Sequence, residues 1–444
     1  MRSAFYSFLQ RFSLIVLGLA NFMLLIRLLS KPQMGVWALF LSITTIFETS
    51  KSSLLKNAHI KYVSGSLGSQ EKSIIASSSL LINSLISLIF IVVILFFSDL
   101  IRQWHHFSGD LLAMLTAFIP GLVFTVFFSH FEAIQQSHFD FKGVFAGQLI
   151  RQLTFFFIIL FHFVFHIVPT FTQLAIYQSI SIALGTLVIY LFSRKYLHHK
   201  FNPTRSWTKR IIGFGGFTFG SGLISNIATN LDQIMTAAFI TSPVAVAYYN
   251  VGLRINGFID IPTYAASEII FPKMSQALAE EGHGKVKYLY ERMVSLLLAL
   301  IIPIALFVII FPKLIINIIA GSQYEPAAPI LQLYMVASII GPIQNQAANV
   351  LNSIGKPSLS FYVNAFCMAC RLGITYVCIT NITLYGAAVG SLLTAILCFW
   401  TWYFVIRRQV GVSLTSIPHY LFGFYKMVYT RAIKIIYKQK NIAG

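Results

Sequence analysis

The sequence predicts an all-α integral membrane protein with about twelve transmembrane helices, and two observations lead to this prediction. Apolar segments of about 20 residues, the length that crosses a bilayer, follow one another almost from end to end of the 444-residue chain. Hydrophobic residues make up 57% of the chain, charged residues only 10%, and the mean hydropathy is +0.76. A soluble domain cannot bury so much apolar surface, whereas lipid accepts it as helices.

The spans follow from apolar length and from the polar gaps between them. The first segment, 12–29, is long enough to cross a bilayer and lacks a small-residue cleavage pattern, so we expect a helix and not a cleaved signal. The expected spans are 12–29, 35–54, 74–97, 111–134, 144–166, 171–193, 211–240, 246–270, 290–312, 326–350, 358–380 and 384–406.

The net charge of +19 indicates membrane orientation and contact with anionic lipid headgroups, and not nucleic-acid binding. Basic residues concentrate in every second gap. These gaps hold Arg2, Arg11, Lys51, Lys56, Lys61, Lys72, Lys142, the run from Arg194 to Arg210, Lys273, Lys285, Lys287, Lys356 and a tail from Arg407 to Lys440. The alternate gaps hold only Lys31, Arg102 and Lys313. Because basic loops stay in the cytoplasm, both termini are expected there.

A basic stretch near the middle of the chain predicts two lobes of six helices. Residues 194–210 are polar, aromatic and cationic, and six spans lie on each side of them. We expect an N-terminal lobe at 1–193, a cytoplasmic linker at 194–210, a C-terminal lobe at 211–408 and a basic amphipathic tail at 409–444 on the inner leaflet. A faint echo between residues 29–38 and 240–249, both short outside turns, agrees with this repeat.

Arginines inside the expected spans are the main candidates for function. Arg151, Arg254 and Arg371 lie well within helices, where a lipid-facing charge costs about 2.5–3.5 kcal/mol. Each should therefore have a carboxylate partner or face a water-filled cavity. Arg27 lies near the outer end of the first span, where its side chain either reaches the headgroups or joins the same cavity.

Polar stripes on five helices favour a polar chamber at the centre of the molecule. Hydrogen bonding between helices is the alternative explanation for any single stripe. The stripes are Asn364, Cys367, Arg371 and Thr375; Asn250, Arg254 and Gly257; Ser221, Ser225, Thr229 and Asp232, with Asn226, Asn230 and Gln233 beside them; Asn345, Asn349 and Asn352; and Ser42, Thr45, Glu48 and Ser52.

The chemistry of these residues favours a phosphorylated glycan over an organic cation. Arginine binds phosphate through a fork of donors, and the amide and hydroxyl stripes suit sugar hydroxyls. Candidate substrate-binding residues are Arg27, Arg151, Arg254, Arg371, Asn250, Asn345 and Asn349. Buried carboxylates can change protonation, which makes Glu48, Asp232 and Glu268 candidates for ion coupling.

We expect no catalytic site, no cofactor and no metal. The glycine-rich segment 213–222 lacks the G-x-x-x-x-G-K-[ST] pattern, so we interpret its small residues as helix-packing positions. Cys367 and Cys370 have a C-x-x-C spacing, but no second pair or histidine cluster accompanies them, so we interpret them as buried thiols.

Two short segments resemble a known family. Residues 27–38, Arg-Leu-Leu-Ser-Lys-Pro-Gln-Met-Gly-Val-Trp-Ala, resemble a signature near the start of polysaccharide flippases. Asn230-Leu-Asp232-Gln-Ile-Met, followed by 246–254, resembles the opening of the second half of these proteins. The family is the Wzx-type polysaccharide, or O-antigen, flippases of the multidrug/oligosaccharidyl-lipid/polysaccharide (MOP) exporter superfamily. The helix count and the basic central loop agree with this family over nearly the full length, and the two motifs single out Arg27, Asp232 and Arg254.

The resemblance implies a fold of two six-helix lobes around a central cavity, similar to that of MOP and MATE transporters. It implies a multi-pass protein of a bacterial cytoplasmic membrane, with membrane lipids as partners. The implied substrate is an oligosaccharide on an undecaprenyl pyrophosphate carrier, moved to the periplasmic leaflet for O-antigen or other surface polysaccharide. A polysaccharide polymerase or chain-length machinery is a further implied partner.

Two classes of function remain open at this point. The first is a lipid-linked glycan flippase that works by alternating access. The second is an ion-coupled multidrug or small-molecule antiporter of the same superfamily. Such antiporters usually have acids at their centre, so the balance of arginines in this chain argues against them. Glycosyltransferase genes beside this gene would favour the flippase.

We predict that reporter fusions at residue 202 and after residue 440 behave as cytoplasmic, because both lie in lysine- and arginine-rich segments. The measurement is a pair of reporters that are active on opposite sides of the membrane. A periplasmic signal at either place would contradict the topology and the paired-lobe interpretation.

Overall fold

The structure is a computed structural model, and it describes residues 2–65, 68–96, 98, 108–138, 140–197, 201–426 and 430. In these residues the chain is almost entirely helical. The helices are α1 (Arg2–Leu28), α2 (Lys31–Gly65), α3 (Ser69–Phe96), α4 (Ser108–Ala117), α5 (Ile119–Ser137), α6 (Lys142–Val164), α7 (Phe171–Ser193), α8 (Arg205–Ile240), α9 (Pro243–Glu281), α10 (His283–Ile310), α11 (Pro312–Ile319), α12 (Ala328–Ser353), α13 (Pro357–Ile382) and α14 (Gly386–Val410). Residues 416–426 form a further C-terminal helix.

Each expected span coincides with helix in the described chain, and the all-α membrane fold is confirmed. By length and apolar composition alone, six helical stretches qualify as membrane spans, or seven if a bent pair counts as one. The apolar part of α1, Phe12–Leu28, is too short for that criterion. The helices α2, α8 and α9 are long, with 35, 36 and 39 residues, but carry the polar and charged residues singled out above. At about 1.5 Å per residue they exceed a bilayer core of about 30 Å.

The fourth expected span is bent. The helices α4 and α5 meet at an angle of 47° at Phe118. Pro120, at the start of α5, has no amide hydrogen and cannot continue the hydrogen-bond ladder of α4. The expected span 111–134 is therefore two helical segments instead of one straight rod.

Contacts divide the chain into two compact units, Met1–Ala247 and Tyr248–Gly444. In the first unit, α8 packs along α2 and its start joins a core cluster that contains Leu55, Ala58, Ile75, Ile82 and Ile211. Compactness of these units does not decide how the helices group into lobes. The lobe boundaries expected at 194–210 and 408 therefore stay predictions.

Small residues allow close helix contacts in the first unit. A Cβ atom on Gly35, at the start of α2, would collide with the backbone carbonyl of Pro243. The two turns that echo each other in sequence thus lie against each other. A Cβ on Gly185 of α7 would stand 2.8 Å from the carbonyl oxygen of Gly147 on α6, which brings these backbones together.

Specific hydrogen bonds hold the segment before α8 in the first unit. The amides of Asn202 and Thr204 donate to the hydroxyls of Ser77 and Ser78 on α3, each at 3.2 Å. These bonds fix the linker where α8 begins.

A second contact joins Asp140, before α6, to the end of α7. The ammonium of Lys195 donates to the carboxylate of Asp140 at 2.8 Å, and the hydroxyl of Tyr196 donates to the same carboxylate at 3.1 Å. Partial burial acts to raise the pKa of Asp140, but the hydrogen bonds from Lys195, the Lys142 amide and Tyr196 outweigh it and hold this pKa below its ordinary value.

The second unit has its core between α10, α12 and α14, and the C-terminal segment packs on α10. The buried carboxylate of Glu291 accepts from the amide of Ser413 at 2.9 Å, and the Ser295 hydroxyl donates to the carbonyl of Ile417 at 2.9 Å. The hydroxyl of Tyr425 donates to the carbonyl of Ala299 at 2.8 Å. The start of the expected tail is therefore anchored to α10. Residues 431–444 lie outside the described residues, and placement of the tail on the inner leaflet stays a prediction.

We predict that Gly35→Leu lowers the free energy of unfolding by about 1–3 kcal/mol or more, because the new side chain has no room beside Pro243. The measurement is thermal unfolding with detergent size exclusion. Gly18→Leu in α1 is the matched control, since no atom lies within 4 Å of its added Cβ. Equal losses in the two variants would contradict the close approach of α2 and α9.

Candidate functional site

Arg151 lies with a carboxylate inside the first unit. Its guanidinium on α6 is 3.9 Å from the carboxylate of Glu48 on α2, and it lies over the ring of Phe128 at 5.7 Å. The hydroxyl of Thr125 on α5 donates to the other oxygen of Glu48 at 3.2 Å. The two charged side chains are 17% and 22% exposed. Arg151 thus has the carboxylate partner that was one of its two expected environments.

The local sequence makes room for this pair. Gly147 is one helical turn before Arg151, and Gly185 on α7 faces both. A Cβ on Gly185 would stand 3.0 Å from the Cβ of Arg151, so only the absence of a side chain there lets the stem of Arg151 pass between α6 and α7. The arginine is therefore built into the helix packing.

A second polar group in the first unit was not singled out from the sequence. Lys51, His59 and His130 are buried side chains between α2, α3 and α5, and Lys56 pairs with Glu132 at 3.0 Å. They border a small cavity of about 20 Å³, which we call the lysine–histidine pocket. Its lining residues are Lys51, Ser52, Leu55, Lys56, His59, Ser79, Asn83, Ser129, His130 and Ala133.

The polar stripes of α2 and α8 are joined by a hydrogen bond. The hydroxyl of Ser42 donates to the side-chain oxygen of Gln233 at 2.7 Å. Asp232, beside Gln233, has no exposed surface at all. For the stripes of α2 and α8, the structure therefore supports the alternative explanation, which is hydrogen bonding between helices. A role of Asp232 or Glu48 in ion coupling stays a prediction.

In the second unit, Arg371 on α13 donates to the hydroxyl of Ser391 on α14 at 2.8 Å and is half-buried. Close packing of α14 against α13 determines where this hydrogen bond can form. A Cβ on Gly390 would stand 2.7 Å from the Cα of Thr375, which is fully buried one turn after Arg371. The helices α13 and α14 therefore hold the guanidinium beside a neutral hydroxyl.

Arg254 on α9 is exposed, although it lies well inside a helix of membrane length. Asn250, one turn earlier, is buried, and its side-chain oxygen has no hydrogen-bond partner within the part of the chain that the structure describes. A guanidinium in contact with lipid tails would be costly, so exposure of Arg254 is consistent with an aqueous or polar surface.

The remaining predicted residues have different surroundings. Arg27 is exposed at the end of α1, and Asn345 is exposed on α12. Asn349 donates to the side-chain oxygen of Gln346 at 3.1 Å. The side chain of Glu268 lies outside the described residues. A common cavity for the predicted arginines and asparagines stays a prediction.

The cysteines and acids form no metal centre in the described chain. All four cysteines are free thiols, and no group of three His, Cys, Asp or Glu side chains suited to a metal occurs there. Cys367 packs beside the buried cluster that contains Cys398, between α13 and α14.

A family of sequences described as "Polysaccharide biosynthesis protein" matches residues 24–329 of the chain. Lipopolysaccharide biosynthesis protein WzxC of Escherichia coli (strain K12) is 20% identical over 361 residues, which cover 80% of this chain and 70% of that protein. The chain spans about half the length of the first curated relatives it matches, 50% and 44%.

Solved structures share the fold. The lipid II flippase MurJ in an inward closed conformation has a TM-score of 0.79 at 15% identity, over 97% of this chain and 93% of that one. A multidrug resistance MATE family transporter of the MOP superfamily in an inward-facing conformation has a TM-score of 0.77 at 14% identity, over 90% and 94%. The MOP-type fold with two lobes, expected from the sequence, is confirmed.

We predict that Glu48→Gln lowers the free energy of unfolding by about 1–2 kcal/mol, because it leaves the partly buried Arg151 without its counter-charge. The double variant with Arg151→Gln should recover part of this loss, which thermal unfolding of all three variants measures. The control is Lys313→Gln, which breaks an exposed pair with Glu325 at 3.7 Å and should cost less than about 0.5 kcal/mol. Strictly additive effects at Glu48 and Arg151 would contradict the pairing.

Proposed function

The chain belongs to the polysaccharide biosynthesis protein family, and from this membership we propose that it flips a lipid-linked oligosaccharide across the cytoplasmic membrane. The substrate is an oligosaccharide on an undecaprenyl pyrophosphate carrier. It moves from the cytoplasmic to the periplasmic leaflet by alternating access, and it supplies the synthesis of surface polysaccharide such as O-antigen. The protein acts as a transporter and not as a catalyst.

The observation that carries this proposal is Arg254, a residue with exposed surface in the interior of a membrane-length helix. A pyrophosphate that crosses a region of low dielectric loses its hydration, and a permanent cation offsets part of that loss. Arg371 has a neutral hydroxyl at 2.8 Å, so its positive charge is not cancelled by that contact. Arg151, by contrast, shares its charge with Glu48.

These surroundings suggest different roles for the predicted arginines. We assign pyrophosphate binding to Arg254, with help from Arg371 or Arg27, and a mainly structural role to Arg151. Asn250, Asn345 and Asn349 would hold sugar hydroxyls loosely, which suits a carrier that must release its load. The energy source is an ion gradient, the membrane potential or removal of product in the periplasm.

A multi-pass membrane protein with this fold also fits the antiporter alternative, which the relatives do not favour. WzxC is named for lipopolysaccharide biosynthesis, and Agl15 of Haloferax volcanii, 20% identical over 192 residues, is named a probable glycan biosynthesis flippase. Loss of this protein should therefore leave lipid-linked glycan on the cytoplasmic leaflet, and leave drug resistance unchanged.

We predict that Arg254→Ala lowers surface glycan by about tenfold or more in a deletion strain, since a charged hydrogen-bond pair is worth about 1.5–3 kcal/mol. Arg254→Lys keeps the charge but loses the two-pronged donor, so it should retain partial activity. The measurement is surface glycan at equal expression in the membrane.

The matched control is Arg210→Ala, which removes an exposed arginine stacked on Trp207 at 4.9 Å near the start of α8 and should leave glycan nearly normal. If Arg254→Ala, Arg371→Ala and Arg27→Ala, singly and combined, all restore normal glycan, anion recognition by these arginines is wrong and the antiporter gains support.

A further inference from the structure

The charged side chains between α2, α3, α5 and α6 do not balance. Three basic residues, Lys51, Lys56 and Arg151, lie there with two acids, Glu48 and Glu132. Lys56 pairs with Glu132 at 3.0 Å and Arg151 with Glu48 at 3.9 Å. Among the described ion pairs none includes Lys51. One positive charge in this interior group is therefore left over.

The surroundings of Lys51 make this charge costly. Its side chain is 1% exposed, its ammonium donates to the hydroxyl of Ser87 on α3 at 3.0 Å, and it lies 5.2 Å from the ring of Phe47. Glu48 is one turn away on α2, but its two oxygens already face Thr125 and Arg151. The Ser87 hydroxyl and the Phe47 ring compensate only a fraction of the hydration that this buried ammonium loses.

The lysine–histidine pocket, which Lys51 lines, contains polar atoms that still need partners. Both ring nitrogens of His59, the hydroxyl of Ser79 and the side-chain oxygen of Asn83 are buried and have no hydrogen-bond partner within the described chain. His59 itself is 1% exposed. One nitrogen of a neutral imidazole donates, and so does a hydroxyl. Buried donors rarely stay unsatisfied, so this pocket has the features of a built binding site.

We propose that the lysine–histidine pocket binds one small monovalent inorganic anion of halide size. Such an ion supplies the single negative charge that Lys51 lacks. The ammonium groups of Lys51 and Lys56 attract it, and the imidazole N–H of His59 and the hydroxyl of Ser79 donate to it. Bridging water serves the side-chain oxygen of Asn83, which accepts and cannot donate.

The pocket fits a halide better than a phosphate. No arginine lines it, so it lacks the forked donor that phosphate groups prefer. The amide nitrogen of Asn83 is already used, donating to the carbonyl of Val126 at 3.0 Å and to the hydroxyl of Ser129 at 2.9 Å. A doubly charged ion would also overbalance a group with one excess positive charge. This site lies wholly within the first unit and does not depend on the proposed flippase activity.

The test is the thermal unfolding of the purified full-length protein in sodium chloride, sodium bromide and sodium gluconate at equal ionic strength. Ligands that bind the folded state raise the midpoint temperature. Chloride and bromide should raise it by a few degrees over gluconate, with saturation. Equal midpoints in the three salts would overturn the proposal. Stabilisation by inorganic phosphate at a lower concentration than by chloride would overturn the halide assignment.

Two substitutions test whether the anion binds in the lysine–histidine pocket. Lys51→Met removes the excess charge, fills the space with a flexible apolar side chain and should abolish the chloride effect. His59→Leu removes the imidazole N–H without supplying another donor, and it should raise the chloride concentration of half effect by about fivefold, the value of one lost hydrogen bond.

The control is Lys313→Met, which removes a lysine that is 70% exposed in the second unit and should keep the full chloride effect. If Lys51→Met fails to fold, His59→Leu decides alone. A chloride dependence in His59→Leu that matches the parent protein would mean that the anion binds elsewhere.

Discussion

A guanidinium stays charged at any pH that the protein experiences, so every helix that carries one inside the membrane must provide a counter-charge or contact with water. This constraint explains why α2, α5 and α6 pack as they do. Glu48 compensates Arg151, Thr125 orients Glu48, and Gly185 leaves space for the stem of Arg151. The same requirement is met differently at Arg254, whose residue surface is exposed.

A difference in role between the arginines follows from their surroundings. An ion pair that is already formed offers little attraction to an incoming anion, because the carboxylate would repel it. Arg371 is intermediate, since the Ser391 hydroxyl to which it donates carries no charge. The proposed substrate recognition therefore rests chiefly on Arg254 and Arg371 in the second unit, whereas Arg151 and Glu48 in the first unit mainly hold its helices together.

Much of the fold could be predicted from the sequence, because apolar length and basic gaps are strong local signals. The resemblance to polysaccharide flippases, based on residues 27–38 and 230–254, is confirmed by the family match. Two features were beyond reach. The bend at Phe118 depends on how α4 and α5 pack around Pro120. Lys51 was counted with the cytoplasmic basic residues, yet it is buried, since a lysine at a helix end and one inside a bundle have the same local sequence.

The lysine–histidine pocket shows why such sites escape a search for motifs. Its members come from three helices, with Lys51 and His59 on α2, Ser79 and Asn83 on α3, and His130 on α5. Only packing brings them together, and only a balance of charges across helices reveals that one cation is in excess. A buried charge of this kind is expensive to keep. Its presence therefore calls for a bound counter-ion, a role that no single helix of this chain could have indicated.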